Sequence, residues 1–558
     1  MEQNFCEIIL QQEKDNPDKE ILHILHDGDY KHLTYKDIIV GAQRFENGLR
    51  KAGIGKGEVV ILILPHGLDL IFAYFGAILN GSIPSMMPYL TEKLIPDKYR
   101  KDLRSLIDIT KPTGVITYTD FKEEIKFLDN IKTSIRAVLI SNEIGPETDM
   151  KHCDHAGLDQ KKTDIVLLQH SSGTTGLKKG VALSHQSVIN QLNDYKDVLK
   201  INNEDVIVSW LPLYHDMGLI AGFLLPLLYG IPLVLMSPFE WVRAPYKLMK
   251  AITQFKGTLC WMPNFAYNFC AKKIRDRDIE GIDLTSLRAI VNCSEPMRIA
   301  SHDMFEKRFS PFGLNSNSLA TCYAMAENVF AVTQGGINQP IKYDQIDLIA
   351  FQEENTAIPA INGNKSVVMV SAGKPLPNVD VKILNKSGNF VEERQLGEIV
   401  IRSNCMLSGY YNREDETKRS FIDGWFKTGD LGYITNEELY ISGRKKDLII
   451  VGGKNIYPKD IETIAMEIDG VHPGRVVAFG LYNELKGTED VVIIAEVDDD
   501  YLSKKVSISE NIRKKVTVES AIALRNVLIV DKKWLIKTSS GKIARALNKE
   551  KYIKETQS

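Results

Sequence analysis

The segment HSSGTTGLKKGVALSH, residues 170–185, crowds glycines, hydroxyl side chains and lysines into one short stretch. Gly173, Gly176 and Gly180 let backbone amides approach an anion closely, Ser171, Ser172, Thr174 and Thr175 offer hydroxyl donors, and Lys179 adds a cation. Together they read as a phosphate cradle. The segment departs from the pattern GxxxxGK[ST], because no Ser or Thr follows a Gly-Lys pair. A flexible Ser/Gly connector is the plain alternative. Its placement after a predicted strand and before a predicted helix favours the anion site.

The elements around this loop set the frame that must hold it. DIVLLQH (164–170) reads as a buried strand, and Ser184 opens the following helix. The same alternation of short β-rich runs with helical patterns begins near residue 58. EVVILIL (58–64) is a strand, 66–80 a helix, and GVITY (114–118) and AVLI (137–140) are further strands. It continues with VIVSW (206–210), TLCW (258–261) before a helix from Phe265, and LRAIVN (287–292) before a helix near 301–309. Such alternation predicts two related α/β layers with parallel strands.

Beyond Leu376 the strands shorten and Gly, Asn and Asp turns multiply, as in VDVKIL, GEIVIRS and ELYISGR. This is read as a β-rich subdomain at about 376–445, followed by a smaller unit from the polar link GRKKD to the Lys-rich C-terminus. The link is short enough to act as a hinge. Residues 337–365 are polar and weakly patterned, and look inserted.

Composition narrows the partners. The chain has 558 residues, 44% hydrophobic and 25% charged, with a net charge of -3, which argues against nucleic acid and favours small-molecule or protein partners. Cys6, Cys153, Cys260, Cys270, Cys293, Cys322 and Cys405 are scattered without a CxxC pair, which suits a reducing compartment. The N-terminus lacks a basic start and an apolar run, so a cytoplasmic location is expected. Residues 217–239 carry no charge and are long enough to cross a bilayer, yet Pro226, Gly230 and Pro232 interrupt them. A buried helix followed by a buried strand (231–236) is expected there, with no transmembrane segment.

The phosphate loop resembles that of the adenylate-forming superfamily of acyl-CoA synthetases, luciferases and adenylation domains. Further motifs of that superfamily follow in order: WLPLYHDMG (210–218), NCSEP (292–296), YAMAEN (323–328), GWFKTGDLG (424–432), GRKKDLIIVGGKNIYPKDIE (443–462) and KTSSGKIAR (537–545). The resemblance implies an α/β fold with a large N-terminal domain, 1–445, and a small mobile α+β C-terminal domain, 446–558. It also implies ATP and magnesium as cofactors.

Carried over residue by residue, the resemblance assigns ATP or AMP contacts to Ser171, Ser172, Gly173, Thr174, Thr175, Gly176 and Lys179. The same role falls to Ser294, Glu295 and Pro296, and to Tyr323, Ala324, Met325, Ala326 and Glu327. Tyr323 would border the adenine, and Glu327 with Thr174 would hold magnesium. Asp430 would accept hydrogen bonds from the ribose hydroxyls, and Arg444 would reach the nucleotide. Lys446 would be the pivot of the C-terminal domain. Lys542 would be catalytic: attack of a carboxylate on the α-phosphate brings anions together, so the transition state calls for cations. Outside this context, each of these residues would read as a turn former, a core aromatic or a solvated side chain.

Within the superfamily, WLPLYHDMGLI, VVMVSAGKPLPNVDVKIL and the 337–365 insertion are similar to fatty acyl-AMP ligases. These pass a fatty or other carboxylic acid to the phosphopantetheine thiol of an acyl carrier protein, and their insertion is thought to restrict the CoA-dependent conformation. His215, Asp216, Met217 and Gly218 would then line the acyl pocket, with Leu219 to Met236 as apolar walls or as plain core. The rival readings are an acyl-CoA synthetase using free CoA and an inactive adenylate-binding module. Four positions depart from the usual pattern: Lys178 and Ile536 replace usual prolines, and Cys293 and Ser294 stand where Gly or Ala is common.

Overall fold

The computed structural model describes residues 3–89, 96–125, 133–145, 154–171, 179–361, 363–452, 454–520, 522–538 and 541–557. The chain divides into two compact units. The first comprises Met1–Lys342, Ala372–Asp380 and Arg402–Gly424, and the second Tyr343–Ser371, Val381–Ile401 and Trp425–Ser558. This division differs from the expected one at 445/446, because much of the β-rich segment and most of the insertion group with the C-terminal residues.

The first unit contains the two expected α/β layers. Val59–Ile63, built of five consecutive buried β-branched and leucine residues, lies at the centre of a parallel sheet between Ile83–Met86 and Gly114–Thr117, with Ala137–Ile140 outside. The larger sheet has nine strands in the order Lys374–Pro375, Ala331–Gly335, Leu319–Ala324, Ala289–Asn292, Leu259–Met262, Ile207–Ser209, Leu233–Leu235, Glu20–His26 and Asp29–Thr34. Its interior pairs are parallel, and antiparallel strands close both edges. Most of these strands are short and fully buried, and their C-terminal ends run into the motif residues at 210, 293 and 324.

One expectation needs correction. The phosphate loop does not lead into a helix: Lys179–Ser184 is a strand, antiparallel to Ile165–Ser171, so the loop is the tip of a hairpin. KGVALS is short and apolar after its first residue, and pairs with the strand before the loop. The helix His185–Val198 begins only after it, with Ser184 accepting from the Ser187 amide as its N-cap.

Residues 217–239 are interrupted as expected. Met217–Leu224 is a buried π-helix that continues as the α-helix Leu225–Tyr229, ends at Gly230 in a left-handed conformation and leads to the strand Leu233–Leu235. Among the described residues no helix is long and apolar enough to cross a membrane.

In the second unit Gly397–Ser403, Trp425–Thr435 and Glu438–Arg444 pair antiparallel. A mixed sheet of Val471–Asn483, Thr488–Val497 and Leu524–Val530 packs with the helices Pro458–Met466 and Lys505–Ser520, the expected α+β arrangement. Tyr343–Asp347 pairs with Ser366–Val370, and Phe351 packs 5.3 Å from Tyr457 in a cluster with Tyr433 and Tyr440.

Candidate active site

Ser172 to Gly176 lie outside the described residues, but the base of their hairpin is well defined. His170 and Ser171 stand opposite Gly180 and Lys179. The His170 Nε2 is 2.6 Å from the buried Ser85 hydroxyl, tying the hairpin to the parallel sheet. A third strand, Gly409–Tyr410, pairs with Ala182 and Val181 and brings Tyr410 beneath Lys179. The Lys179 ammonium lies 4.4 Å from the centre of the Tyr410 ring and 2.7 Å from a Glu416 carboxylate oxygen. Partial burial alone would raise the Glu416 pKa, but Lys179 and Arg413 hold it below the usual carboxylate range.

Tyr410 also links this cation to the proposed metal ligand. Its hydroxyl donates to Glu327 Oε1 at 2.9 Å, and burial together with that carboxylate pushes its pKa well up. Glu327 lies in the short 3-10 turn Ala326–Asn328, just past the strand that carries the buried Tyr323 and the half-buried Ala324. The turn is closed by Val329 at φ 64° and ψ -57°, with the Phe330 amide donating to the Asn328 carbonyl at 2.7 Å. This is a γ-turn of the strained hand, on a β-branched residue, two positions after Glu327. Met325 and Ala326 form the rest of the turn, and the Met325 amide donates to Phe330 O at 2.8 Å.

On the neighbouring strand end Ser294 adopts φ 68°, in the left-handed region that favours glycine, which explains why Gly suits this position elsewhere. Its hydroxyl lies 4.0 Å from Met217 Sδ, so the structure brings a proposed nucleotide contact against a proposed acyl-pocket residue. Glu295 Oε2 accepts from the Phe265 amide at 3.0 Å, capping the helix Asn264–Lys273. Pro296 follows in the same connection.

The segment 210–218 starts from Trp210, which stacks on Trp241 with ring centres 3.6 Å apart and planes 8° from parallel. It ends at Gly218, where a Cβ would stand 2.3 Å from the Pro212 carbonyl oxygen, so only glycine fits. Between them Asp216 accepts from the Met217 amide, and the His215 ring packs 4.8 Å from Tyr214. The apolar stretch that follows is core: Phe223 is fully buried against Tyr74 and Phe75.

In the second unit Asp430 and Arg444 face each other across an antiparallel pair, with Arg444 Nε 3.3 Å from Asp430 Oδ1. Lys446 is exposed in the turn Lys445–Asp447. Lys542, partly buried, sits on a tight turn whose ends meet at the bridge Lys537↔Ile543. The Thr538 amide donates to the Lys542 carbonyl at 2.8 Å, and Gly541 has φ 83°. Fully buried Asn548 secures the start of this turn by accepting from the Ile536 amide at 2.8 Å and donating to its carbonyl at 2.9 Å. The departure from proline at Ile536 thus supplies a donor that proline lacks.

Sequence reasoning missed four participants. Tyr410 and Glu416 join Glu327 and Lys179 across large separations in sequence, which no local pattern reveals. Arg545 and Glu462 were quoted within motifs but given no role. Arg545 ties the Lys542 turn to the turn Lys445–Asp447, to the helix Pro458–Met466 and to the sheet: it contacts Asp447 Oδ2 at 2.7 Å, Glu462 Oε1 at 2.6 Å and the Ala478 carbonyl at 2.8 Å. Its spacing three residues after Lys542 was the available signal.

The architecture is that of adenylate-forming enzymes. A solved structure from work on fatty acyl-adenylate ligases of E. coli and L. pneumophila superposes with a TM-score of 0.89, covering 99% of this chain and 98% of that one, at 24% identity. The fatty acid AMP ligase of Legionella pneumophila gives a TM-score of 0.74 at 29% identity, covering 99% and 96%. In sequence, the medium-chain-fatty-acid--[acyl-carrier-protein] ligase JamA of Moorena producens is 29% identical, covering 94% of this chain and 90% of JamA. The long-chain-fatty-acid--AMP ligase FadD26 of Mycobacterium marinum is 28% identical, covering 93% and 91%. The chain belongs to the AMP-binding enzyme family, whose pattern matches residues 9–411.

Proposed function

We propose that this protein activates a fatty acid with ATP to an acyl-AMP, releasing pyrophosphate, and then passes the acyl group to the phosphopantetheine thiol of an acyl carrier protein. The observation that carries the first step is the Lys179–Tyr410–Glu327 chain at the base of the phosphate hairpin, where an anion-binding cation and a carboxylate are held by one tyrosine. Kinship with JamA and FadD26 supports the choice of acid and acceptor.

In the first step a carboxylate oxygen attacks the α-phosphorus, the bond to the β-phosphate oxygen breaks, and pyrophosphate leaves. Lys179 and the hairpin amides hold the phosphates, Asp430 and Arg444 the ribose side, and Lys542 neutralises charge gathering on the α-phosphate. Glu327 and Thr174 offer the oxygen ligands that magnesium prefers, and the ion, when bound, neutralises phosphate charge. In the second step the thiolate attacks the acyl carbonyl and AMP leaves.

The expected mobile piece, 446–558, would pivot at Lys446 between the steps. The insertion bears on this movement. Its Phe351 packs on Tyr457 and its Glu353 pairs with Lys454 at 2.8 Å, both just beyond the pivot. A full swing would break these contacts, so the insertion acts as a tether on the mobile piece.

Incubation with ATP, magnesium and fatty acids of graded length, with mass detection of acyl-AMP, tests the first step. Adding either holo-carrier protein or CoA tests the second. Rapid acyl-CoA formation would replace the carrier with CoA, and pyrophosphate exchange that stays silent with every acid would mean an inactive binding module.

A further inference from the structure

The hairpin at the far edge of the nine-stranded sheet carries a cluster that the adenylation chemistry does not use. His23 and His32 are cross-strand partners on Glu20–His26 and Asp29–Thr34, and their Nδ1 atoms lie 2.6 Å apart. Glu20 Oε2 is 3.7 Å from His32 Nδ1. In a regular strand Glu20 and His23, three residues apart, would point to opposite faces. Here the pairing register shifts between Glu20 and Leu22, and this irregularity turns the Glu20 carboxylate onto the histidine face.

Phe255 fixes the inner ring, stacking on His23 at 4.8 Å and 26°, while Tyr30 meets Phe255 edge-on at 4.8 Å. Burial, then the neighbouring His32, lowers the His23 pKa against the opposing pull of Glu20.

We propose that Glu20, His23 and His32 form a binding site for a borderline divalent transition-metal ion such as Zn2+, separate from the magnesium site. One carboxylate and two imidazoles suit zinc, nickel or copper and not magnesium, which prefers oxygen. Three protein ligands leave a fourth position for water, and the outer two are accessible, with side-chain exposures of 60% for Glu20 and 44% for His32. Two imidazoles on one tetrahedral ion stand about 3.3 Å apart, so the rings separate by several tenths of an ångström as the ion replaces the hydrogen bond between them. Both then carry their proton on Nε2. The site lies five strands from Leu319–Ala324, roughly 24 Å away at the usual strand spacing. The ion would clamp the two strands of the edge hairpin.

Calorimetric titration of the metal-free, untagged full chain with Zn2+ tests the site, with magnesium in excess throughout. One saturable site per chain is expected, weakened at least tenfold by Glu20→Gln and a hundredfold by His32→Ala. Both residues are exposed, so these variants should fold, as unchanged circular dichroism would verify. Co2+ should give a visible d–d spectrum that His32→Ala abolishes. Absence of saturable binding, or equal affinity in wild type and His32→Ala, would overturn the proposal.

Discussion

Glu327 and Lys179, in the first unit, are carried by strand ends and linked through one tyrosine, whereas Lys542, in the second, rides on a turn stapled by Arg545 and Asn548. The first arrangement draws its rigidity from the nine-stranded sheet and the phosphate hairpin, so each side chain inherits a position that many backbone hydrogen bonds share. The second depends on one arginine that satisfies two carboxylates and a carbonyl. A strand end tolerates local damage, while a stapled turn concentrates its stability in a few groups. The units also differ in how they respond to acid, because their buried titratable groups differ.

The widest separation between the units is expected on acidification. His66, His185 and His302, all in the first unit, are driven by burial from 6.5 down to about 4, with Asp164 pulling His185 slightly back. The folded state binds these protons less readily than the unfolded chain. The stability they contribute is present above pH 6.5 and is lost as pH falls towards about 4. The only histidine of the second unit is His472, which is only half-buried. Hydrogen exchange from pH 7 downwards should therefore show the first unit opening before the second; simultaneous opening would erase the contrast.

Lys542→Ala should lower acyl-AMP formation by at least ~100-fold, the scale of losing one charge-stabilising group, while leaving the melting temperature unchanged. Near-normal turnover would remove Lys542 from the reaction. Arg545→Met should act on both properties. Stranding Glu462 and Asp447 without their partner costs about 3 kcal/mol, read in urea melts of the second unit, and adenylation should fall because the Lys542 turn loses its anchor. If stability drops while the initial rate per folded molecule holds, the staple is structural only. At the small end, Ser294→Gly releases roughly 1–2 kcal/mol of left-handed strain and loses about 0.5–1 kcal/mol to glycine's chain entropy. A gain of at most about 1 kcal/mol is expected, and a loss would show that the Ser294 hydroxyl matters more than its backbone.

The sequence revealed those elements whose periodicity is set locally. Runs such as VVILI and AVLI can only be strands, and the interrupted stretch 217–239 could be divided at its prolines and glycine. The second strand of the phosphate hairpin was hidden because KGVALS is too short to declare itself and forms only by pairing with Ile165–Ser171. The edge hairpin Glu20–Thr34 was unread for a similar reason, since its histidines and charges mask the alternation. Among the site residues, Asp430 and Arg444 were visible through motifs, and the structure sets them face to face. Tyr410 and Glu416 were not, because the Tyr410–Glu327 hydrogen bond joins residues 83 positions apart. Ser294 and Ile536 were recorded as departures, and the backbone explains both.

The stacked pair Trp210 and Trp241 has a further use. Indoles 3.6 Å apart and nearly parallel couple their electronic transitions, and such coupling gives a paired circular-dichroism band that the other three tryptophans, Trp261, Trp425 and Trp534, do not share with them. Trp210 opens the segment that ends at Met217 and Gly218, so any shift there alters the overlap. The protein thus carries its own optical gauge, able to report movement of that segment without a label.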